Sequence, residues 1–459
     1  MLELSAATIA EMCGGEMSPE FKRHELINVV TLDSRKAGRY QLFVALKGQH
    51  ADGHDYVASV VMAGGFAVVE RSFSSALPNL IRVADPTQAL GLLARNYRQL
   101  FKLEVVAITG SNGKSTVKEM LKAVCNQQFG ATRVVATAGN LNNHLGVPLT
   151  LLELSTEHCV AIIEMGMNHS GELDYLSRMS QPTLACITNV MFAHAGHFES
   201  LEAIAAAKGE VFNGLNGIAC IDATNPFALS WHTSVAATPG ARVVTYGSVD
   251  SGCYLRQMTA AGAEYVTPLG VVWLKLKVLG AHNDLNALSV VALSLNLGCS
   301  LAAIKSGLES YGGYSGRLEG KVAFNQALII DDTYNANPDS VKAALQAIQE
   351  LPEPYWFIFA DLKELGKFER QFHQEIGRSL NNYKIAKLLT IGELAAYTAE
   401  FYDGDKIHFT CNQDIVEYCQ LSLPSTATLL IKGSNSMRLH EIVAQLVRIE
   451  LAERGYREN

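Results

Sequence analysis

Leu103-Glu-Val-Val-Ala-Ile-Thr109 runs into Gly110-Ser-Asn-Gly113-Lys114-Ser115-Thr116, and then into Val117-Lys-Glu-Met-Leu-Lys-Ala-Val124. The first seven residues form a mostly apolar run that predicts a buried strand. From Lys114 the apolar positions fall three and four apart, which predicts a helix over 114–128. A buried strand that feeds a helix through a glycine loop is the start of a β–α–β unit, so the expected class is α/β with parallel sheets. The loop itself reads GxxGK[ST]. Its glycines let successive N–H groups turn inward on an anion, and the helix that follows adds the positive end of its dipole. Lys114 is suited to the β and γ phosphates of a nucleotide, and the Ser115 hydroxyl to a Mg²⁺ ion. The loop is shorter than the general Walker form, whose first glycine would fall at Ile108.

Outward from this centre, short apolar runs alternate with helix-period segments. Strands are expected at 159–164, 184–189 and 217–221, and, past the glycine-rich stretch Gly312-Gly-Tyr-Ser-Gly316, at 327–331, 355–360 and 428–432. A smaller amino-terminal unit has strands at 41–46 and 65–69. At 459 residues the chain exceeds what one core supports, so we expect three domains, 1–98, 99–314 and 315–459. The first is a small α/β unit, the second a central P-loop NTPase-like parallel sheet, and the third Rossmann-like.

Open α/β sheets bind ligands at the carboxyl ends of their strands, and polar residues stand there. Glu164 closes the run Val-Ala-Ile-Ile-Glu and is a natural Mg²⁺ ligand beside a P-loop, or a strand-end acid facing water. His194 follows the next strand; a lone loop histidine is more often structural. Lys208, in Ala-Ala-Ala-Lys-Gly-Glu210, reads locally as a solvated helix cation.

The formal charge of -8 argues against a nucleic-acid footprint, which would be basic. Nine scattered cysteines without a CxxC pair read as reduced, mostly buried thiols. Met1-Leu-Glu-Leu-Ser5 lacks the basic start of a secretory signal, and no apolar stretch reaches the length of a membrane span, so a cytoplasmic chain without membrane insertion is expected. We expect a monomer.

Together these segments resemble the Mur ligases, which build the peptidoglycan stem peptide one unit at a time. The resemblance rests on Gly110 to Ser115, on Glu164-Met-Gly-Met-Asn168-His169, on Asn189 to His194, on Ala207-Lys208-Gly209-Glu210 and on Gly280-Ala-His282-Asn283-Asp-Leu-Asn286-Ala287. It implies an ATP-dependent ligase in which Gly110, Ser111, Asn112, Gly113, Lys114, Ser115 and Thr116 hold the phosphates. It further implies that Asn283 and Asn286 stand on the adenine side, that Arg317 and Asp332 are brought by the third domain, and that Ser115, Glu164, His194 and Lys208, the last as a carbamate, hold Mg²⁺. In this reading Lys114, Lys208, His194 and Glu164 are the catalytic group. Asp331-Asp-Thr-Tyr334-Asn335-Ala-Asn337-Pro338-Asp-Ser340 is similar to the signature of the branch that adds D-Ala-D-Ala to UDP-MurNAc-tripeptide; the resemblance makes Tyr334, Asn335 and Asn337 substrate residues. Ser34 and Arg35, and the loop containing Asn140, Asn142 and Asn143, resemble the family's contacts to the UDP-sugar. The rival readings are a folylpolyglutamate synthetase-like ligase, which carries an Ala-His-Asn-Pro pattern instead, and a P-loop nucleotide switch, which wants an NKxD segment that is missing. The chain departs from the family pattern at Ala360-Asp361-Leu362-Lys363-Glu364-Leu365-Gly366, at Lys432-Gly-Ser-Asn435 and at His440.

Overall fold

The computed structural model describes residues 2–49, 51–191, 198–259 and 261–447. The strand Glu104–Thr109 lies inside a six-stranded, all-parallel sheet between the strands Val160–Glu164 and Leu184–Ile187. Val106 pairs with Ile162 on one side and Leu184 on the other. Because side chains alternate across a strand, Val105 and Ala107 enter one apolar core while Val106 and Ile108 enter a second on the opposite face. The helix Lys114–Phe129 covers the second face with the helices His282–Asn296 and Leu301–Ser310.

The carboxy-terminal sheet repeats this logic. Its order is Glu319–Val322, Leu328–Asp332, Thr428–Lys432, Tyr355–Ala360, Ile385–Ile391 and Lys406–Phe409, with only the first strand antiparallel. Tyr355, Phe357 and Phe359 fill the core on one face, and Trp356, Ile358 and Ala360 fill the other. The strand Thr428–Lys432, last in sequence, inserts between Leu328–Asp332 and Tyr355–Ala360, so three loops converge at their carboxyl ends.

In the amino-terminal unit the five-stranded sheet runs Glu16–Met17, Leu80–Val83, Phe66–Glu70, Gln41–Val44 and Val29–Thr31. Its last helix, Pro86–Arg98, starts on Asp85, whose carboxylate accepts from the N–H groups of Thr87 and Gln88. Residue 98 marks no break in apolar packing, because one core runs from Ala6 through Leu90, Leu93 and Tyr97 to Leu151, Leu176 and Phe212. The Tyr97 hydroxyl donates to the Leu154 carbonyl at 2.7 Å, and Arg98 donates to the carbonyls of Phe101 and Ser180. The helix thus belongs as much to the central unit as to its own.

The parallel α/β reading did not include the antiparallel meander Tyr254–Thr259, Gly262–Thr267 and Gly270–Leu274. Its middle strand alternates buried Ala263, Tyr265 and Thr267 with less buried residues, a period of two spread over a segment of modest hydrophobicity. All nine cysteines are free, and seven are buried. No helix among the described residues is long and apolar enough to cross a membrane.

Candidate active site

The glycine loop is shaped from outside as well as within. Gly110 and Gly113 have φ of +154° and +79°, and a Cβ on Gly110 would fall 1.9 Å from the Thr188 hydroxyl oxygen. Asn189 braces the loop from the neighbouring strand end: its Oδ1 accepts from the Asn112 N–H at 2.9 Å and its Nδ2 donates to the Asn112 carbonyl at 3.0 Å. Ser111 is held in the same way by the backbone of Met191. Lys114 lies along the loop, donating to the Gly110 carbonyl at 2.8 Å and that of Ser111 at 3.2 Å. Burial lowers its pKa, opposed by Glu164 and helped by Arg317. Gly110→Ala is expected to push the loop off Thr188 and weaken nucleotide binding at least about tenfold, of the order expected when an unrelieved clash displaces a few hydrogen-bond donors. Calorimetric titration with ATP checks this; unchanged affinity would show that the loop accommodates the methyl.

Glu164 is 1% exposed at the strand end beside Ile108. Its Oε1 accepts from Asn142 Nδ2 at 2.8 Å, and its backbone N–H donates to the Thr137 hydroxyl. Its Oε2 has no hydrogen-bond partner, and Lys118 Nζ stands 3.7 Å away. A buried carboxylate oxygen left this way suits a hard cation. Among the described residues no group of three or more His, Cys, Asp or Glu gathers. The buried carboxylate of Glu164 is compatible with Mg²⁺, which keeps waters and phosphate oxygens and takes one or two carboxylates. Lys208 is 2% exposed, and burial, followed by the Lys114 charge, drives its pKa well down. The solvated-cation reading of Lys208 is therefore corrected: the helix Leu201–Gly209 turns it inward. His194 lies outside the described residues.

The carboxy-terminal sheet supplies the opposite wall. Arg317 stacks on the Tyr334 ring at 4.2 Å and donates to Ser115 Oγ at 3.3 Å. Asn337 and Asn112 exchange amide hydrogen bonds at 2.7 and 3.3 Å, while Asn337 also accepts from the Ser340 N–H as the cap of the helix Pro338–Ile348. Asp332 accepts from Lys432 at 2.6 Å. Asn283 and Asn286 are joined at 3.0 Å, and Asn286 sits so close to Gly113 that a Cβ there would meet its Oδ1 at 2.5 Å. Between the two walls is a cleft of about 1150 Å³.

Residues 108–294 match the Mur ligase middle domain and residues 316–435 the Mur ligase glutamate ligase domain. The chain is 35% identical to the UDP-N-acetylmuramoyl-tripeptide--D-alanyl-D-alanine ligase of Escherichia coli (strain K12), over 97% of this chain and 99% of that one. It belongs to the Mur ligase family. The crystal structure of MurF from Acinetobacter baumannii superposes with a TM-score of 0.88 at 32% identity, covering 97% of this chain and 99% of the other. MurF ligase from Thermotoga maritima in complex with ADP shares the fold at 24% identity and a TM-score of 0.79, covering 91% and 96%.

In this Mur ligase most of the residues singled out from the sequence meet at the cleft. Ser111 to Lys114, Thr116, Asn140, Asn142, Asn143, Glu164, Asn283, Asn286, Arg317, Asp332, Tyr334, Asn335 and Asn337 line it. Ser115 and Lys208 are buried. Ser34 and Arg35 are not in its lining; they stand on the amino-terminal unit, where Arg35 makes a two-point pair with Asp33. The sequence reading missed Lys118, which is fully buried and donates to the Thr137 carbonyl at 2.8 Å, tying the P-loop helix to the asparagine loop. Its signal was available, four residues past Lys114 and so one helical turn along the same face. Asn189, read only as the start of the stretch to His194, and Lys432 had no role assigned, yet they brace the loop and Asp332. Side-chain bracing across two strand ends leaves no periodic mark in a sequence.

Proposed function

We infer that the protein is an ATP-dependent ligase joining D-Ala-D-Ala to the terminal carboxylate of UDP-MurNAc-tripeptide. The observation that carries this is one cleft holding a P-loop, a buried carboxylate at the adjacent strand end, and Tyr334 to Asn337 from a second sheet. The similarity to a D-Ala-D-Ala-adding ligase covers 97% of this chain and 99% of the relative.

An amide needs its carboxylate activated, since hydroxide is a poor leaving group. In the proposed sequence the γ-phosphoryl group passes from ATP to the tripeptide carboxylate, giving an acyl phosphate and ADP; the dipeptide amine attacks its carbonyl carbon and gives up a proton, and the C–O bond to phosphate breaks, releasing inorganic phosphate. Lys114 and the loop N–H groups gather and neutralise the phosphates. Arg317 reaches the same phosphates from the opposite wall. Ser115, Glu164, His194 and Lys208 as a carbamate would hold Mg²⁺, which when bound withdraws charge from the transferring group. The amide pair between Asn112 and Asn337 draws the walls together over the site, and exclusion of water protects the acyl phosphate from hydrolysis. Ser34 and Arg35, with Asn140, Asn142 and Asn143, receive the UDP-sugar. We place this monomeric enzyme in the cytoplasm.

Phosphate release from ATP is expected to depend on UDP-MurNAc-tripeptide and to couple to pentapeptide formation only when D-Ala-D-Ala is present. Release indifferent to the dipeptide, with no new amide product, would sink the assignment.

A further inference from the structure

A lysine with no exposed surface needs a reason, because burying an ammonium costs more than burying an apolar side chain of the same size. Lys118 is such a residue, and the phosphoryl-transfer steps above make no use of it. It stands on the P-loop helix Lys114–Phe129, one turn past Lys114, with its side chain 0% exposed. Its ammonium donates to the Thr137 carbonyl at 2.8 Å and to the Gly139 carbonyl at 3.4 Å. It pairs in charge with Glu119 at 3.0 Å and with Glu164 at 3.7 Å. One buried cation therefore joins the P-loop helix, the strand-end acid and the loop that carries the asparagines.

That loop is an arch with two feet. At the first, Thr137 is fixed at three atoms: its N–H donates to the Ile162 carbonyl at 3.0 Å, its hydroxyl accepts from the Glu164 N–H at 2.9 Å, and its carbonyl accepts from Lys118. At the second, the Asn142 carbonyl accepts from the Gly166 N–H at 2.8 Å, and its Nδ2 donates to Glu164 Oε1. Ala138, Gly139, Asn140 and Leu141 between them are exposed, and Lys118 ties this span down through the Gly139 carbonyl. Asn140, Asn142 and Asn143 open from the arch onto the cleft. An exposed span left untied would sample many conformations, and ordering it around a ligand would cost affinity. The carboxylate that Asn142 grips is the one Lys118 faces, so the same ammonium offsets the charge on which the second foot rests.

We propose that Lys118 is a positioning residue, which holds the 137–143 arch on the P-loop helix so that its asparagines meet the UDP-sugar substrate already in place. This rests on the ligase reading above. The test reads two affinities by calorimetric titration: a non-hydrolysable ATP analogue for the free protein, and UDP-MurNAc-tripeptide for protein saturated with that analogue. Lys118→Met, of similar length but without charge or donors, is expected to weaken UDP-MurNAc-tripeptide about 10-fold or more, the scale of one charge-assisted hydrogen bond. The ATP analogue should bind within about threefold of its affinity for the unaltered protein, because the loop N–H groups and Lys114 remain. In turnover the KM for UDP-MurNAc-tripeptide should rise by a larger factor than kcat falls. Lys118→Gln, which keeps N–H donors on a shorter neutral side chain, should recover part of the loss. A lysine that served stability alone would lower the melting temperature and leave both affinities of the folded protein as they were. Unchanged affinity for UDP-MurNAc-tripeptide in folded Lys118→Met, or equal losses for the two ligands, therefore overturns the proposal. If that variant does not fold, Lys118→Gln decides by the same comparison. Failure of the unaltered, analogue-filled protein to bind UDP-MurNAc-tripeptide instead overturns the substrate reading, and the role of Lys118 with it.

Discussion

Lys114→Ala is expected to lower ligation at saturating ATP by at least about 10²-fold, the scale for losing one preorganised charge opposite a transferring group. The side chain makes two contacts, both with carbonyls of its own loop. Each is worth about 0.5–1.5 kcal/mol net, so the fold should survive their loss with a modest fall in melting temperature. The electrostatics point the same way. Burial and Arg317 disfavour the ammonium, with Glu164 the partly compensating charge, so an anion beside Lys114 would offset that cost. Pentapeptide formation and phosphate release, read beside a thermal melt, separate the two effects. Near-normal turnover in a folded variant would remove Lys114 from the mechanism. A lost melt would show that its two carbonyl bonds hold the loop itself.

How far the sequence reached depends on how local each signal is. The strand read at 103–109 and the helix read at 114–128 formed at Glu104–Thr109 and Lys114–Phe129, the first as an apolar run buried on both faces and the second through its helical period. The strands at 355–360 and 428–432 formed as read for a related reason: buried on both faces, they are continuous apolar runs. The meander at 254–274 escaped because its half-exposed strands mix Gln, Thr and Glu with the apolar positions. The continuity of the core across residue 98 was invisible too, since which helix face meets which neighbour is a tertiary fact. Within the site, residues placed by the backbone at strand ends and in the glycine loop were legible. Those that act on other residues were not: Lys118 reaches carbonyls about twenty positions away.

Lys208→Ala is expected to cost at least about 10²-fold in ligation, and the loss should be partly restored by added formate or acetate. The reasoning starts from burial. An ammonium 2% exposed, with the Lys114 charge adding to the cost of burial, is unfavourable, so the amine is driven toward its neutral form. A neutral amine attacks the carbon of CO₂; the N–C bond forms, the amine proton leaves, and the product is a carbamate carrying a negative charge. In the proposed carbamate a buried amine is thus replaced by an anion, in a site where Glu164 leaves a carboxylate oxygen without a hydrogen bond. Alanine removes the ligand and leaves a space about the size of the lost side chain, which a short carboxylate can enter. It also removes the cost of burying the amine, so the variant should melt no lower than the parent while its turnover collapses, a separation that simple misfolding cannot produce. Formate should help this variant and leave Lys114→Ala unmoved, because the first lacks an anion and the second a cation. Full activity of Lys208→Ala in buffer stripped of CO₂ and carboxylates would exclude the carbamate, and with it the account of why a lysine is buried at a phosphoryl-transfer site.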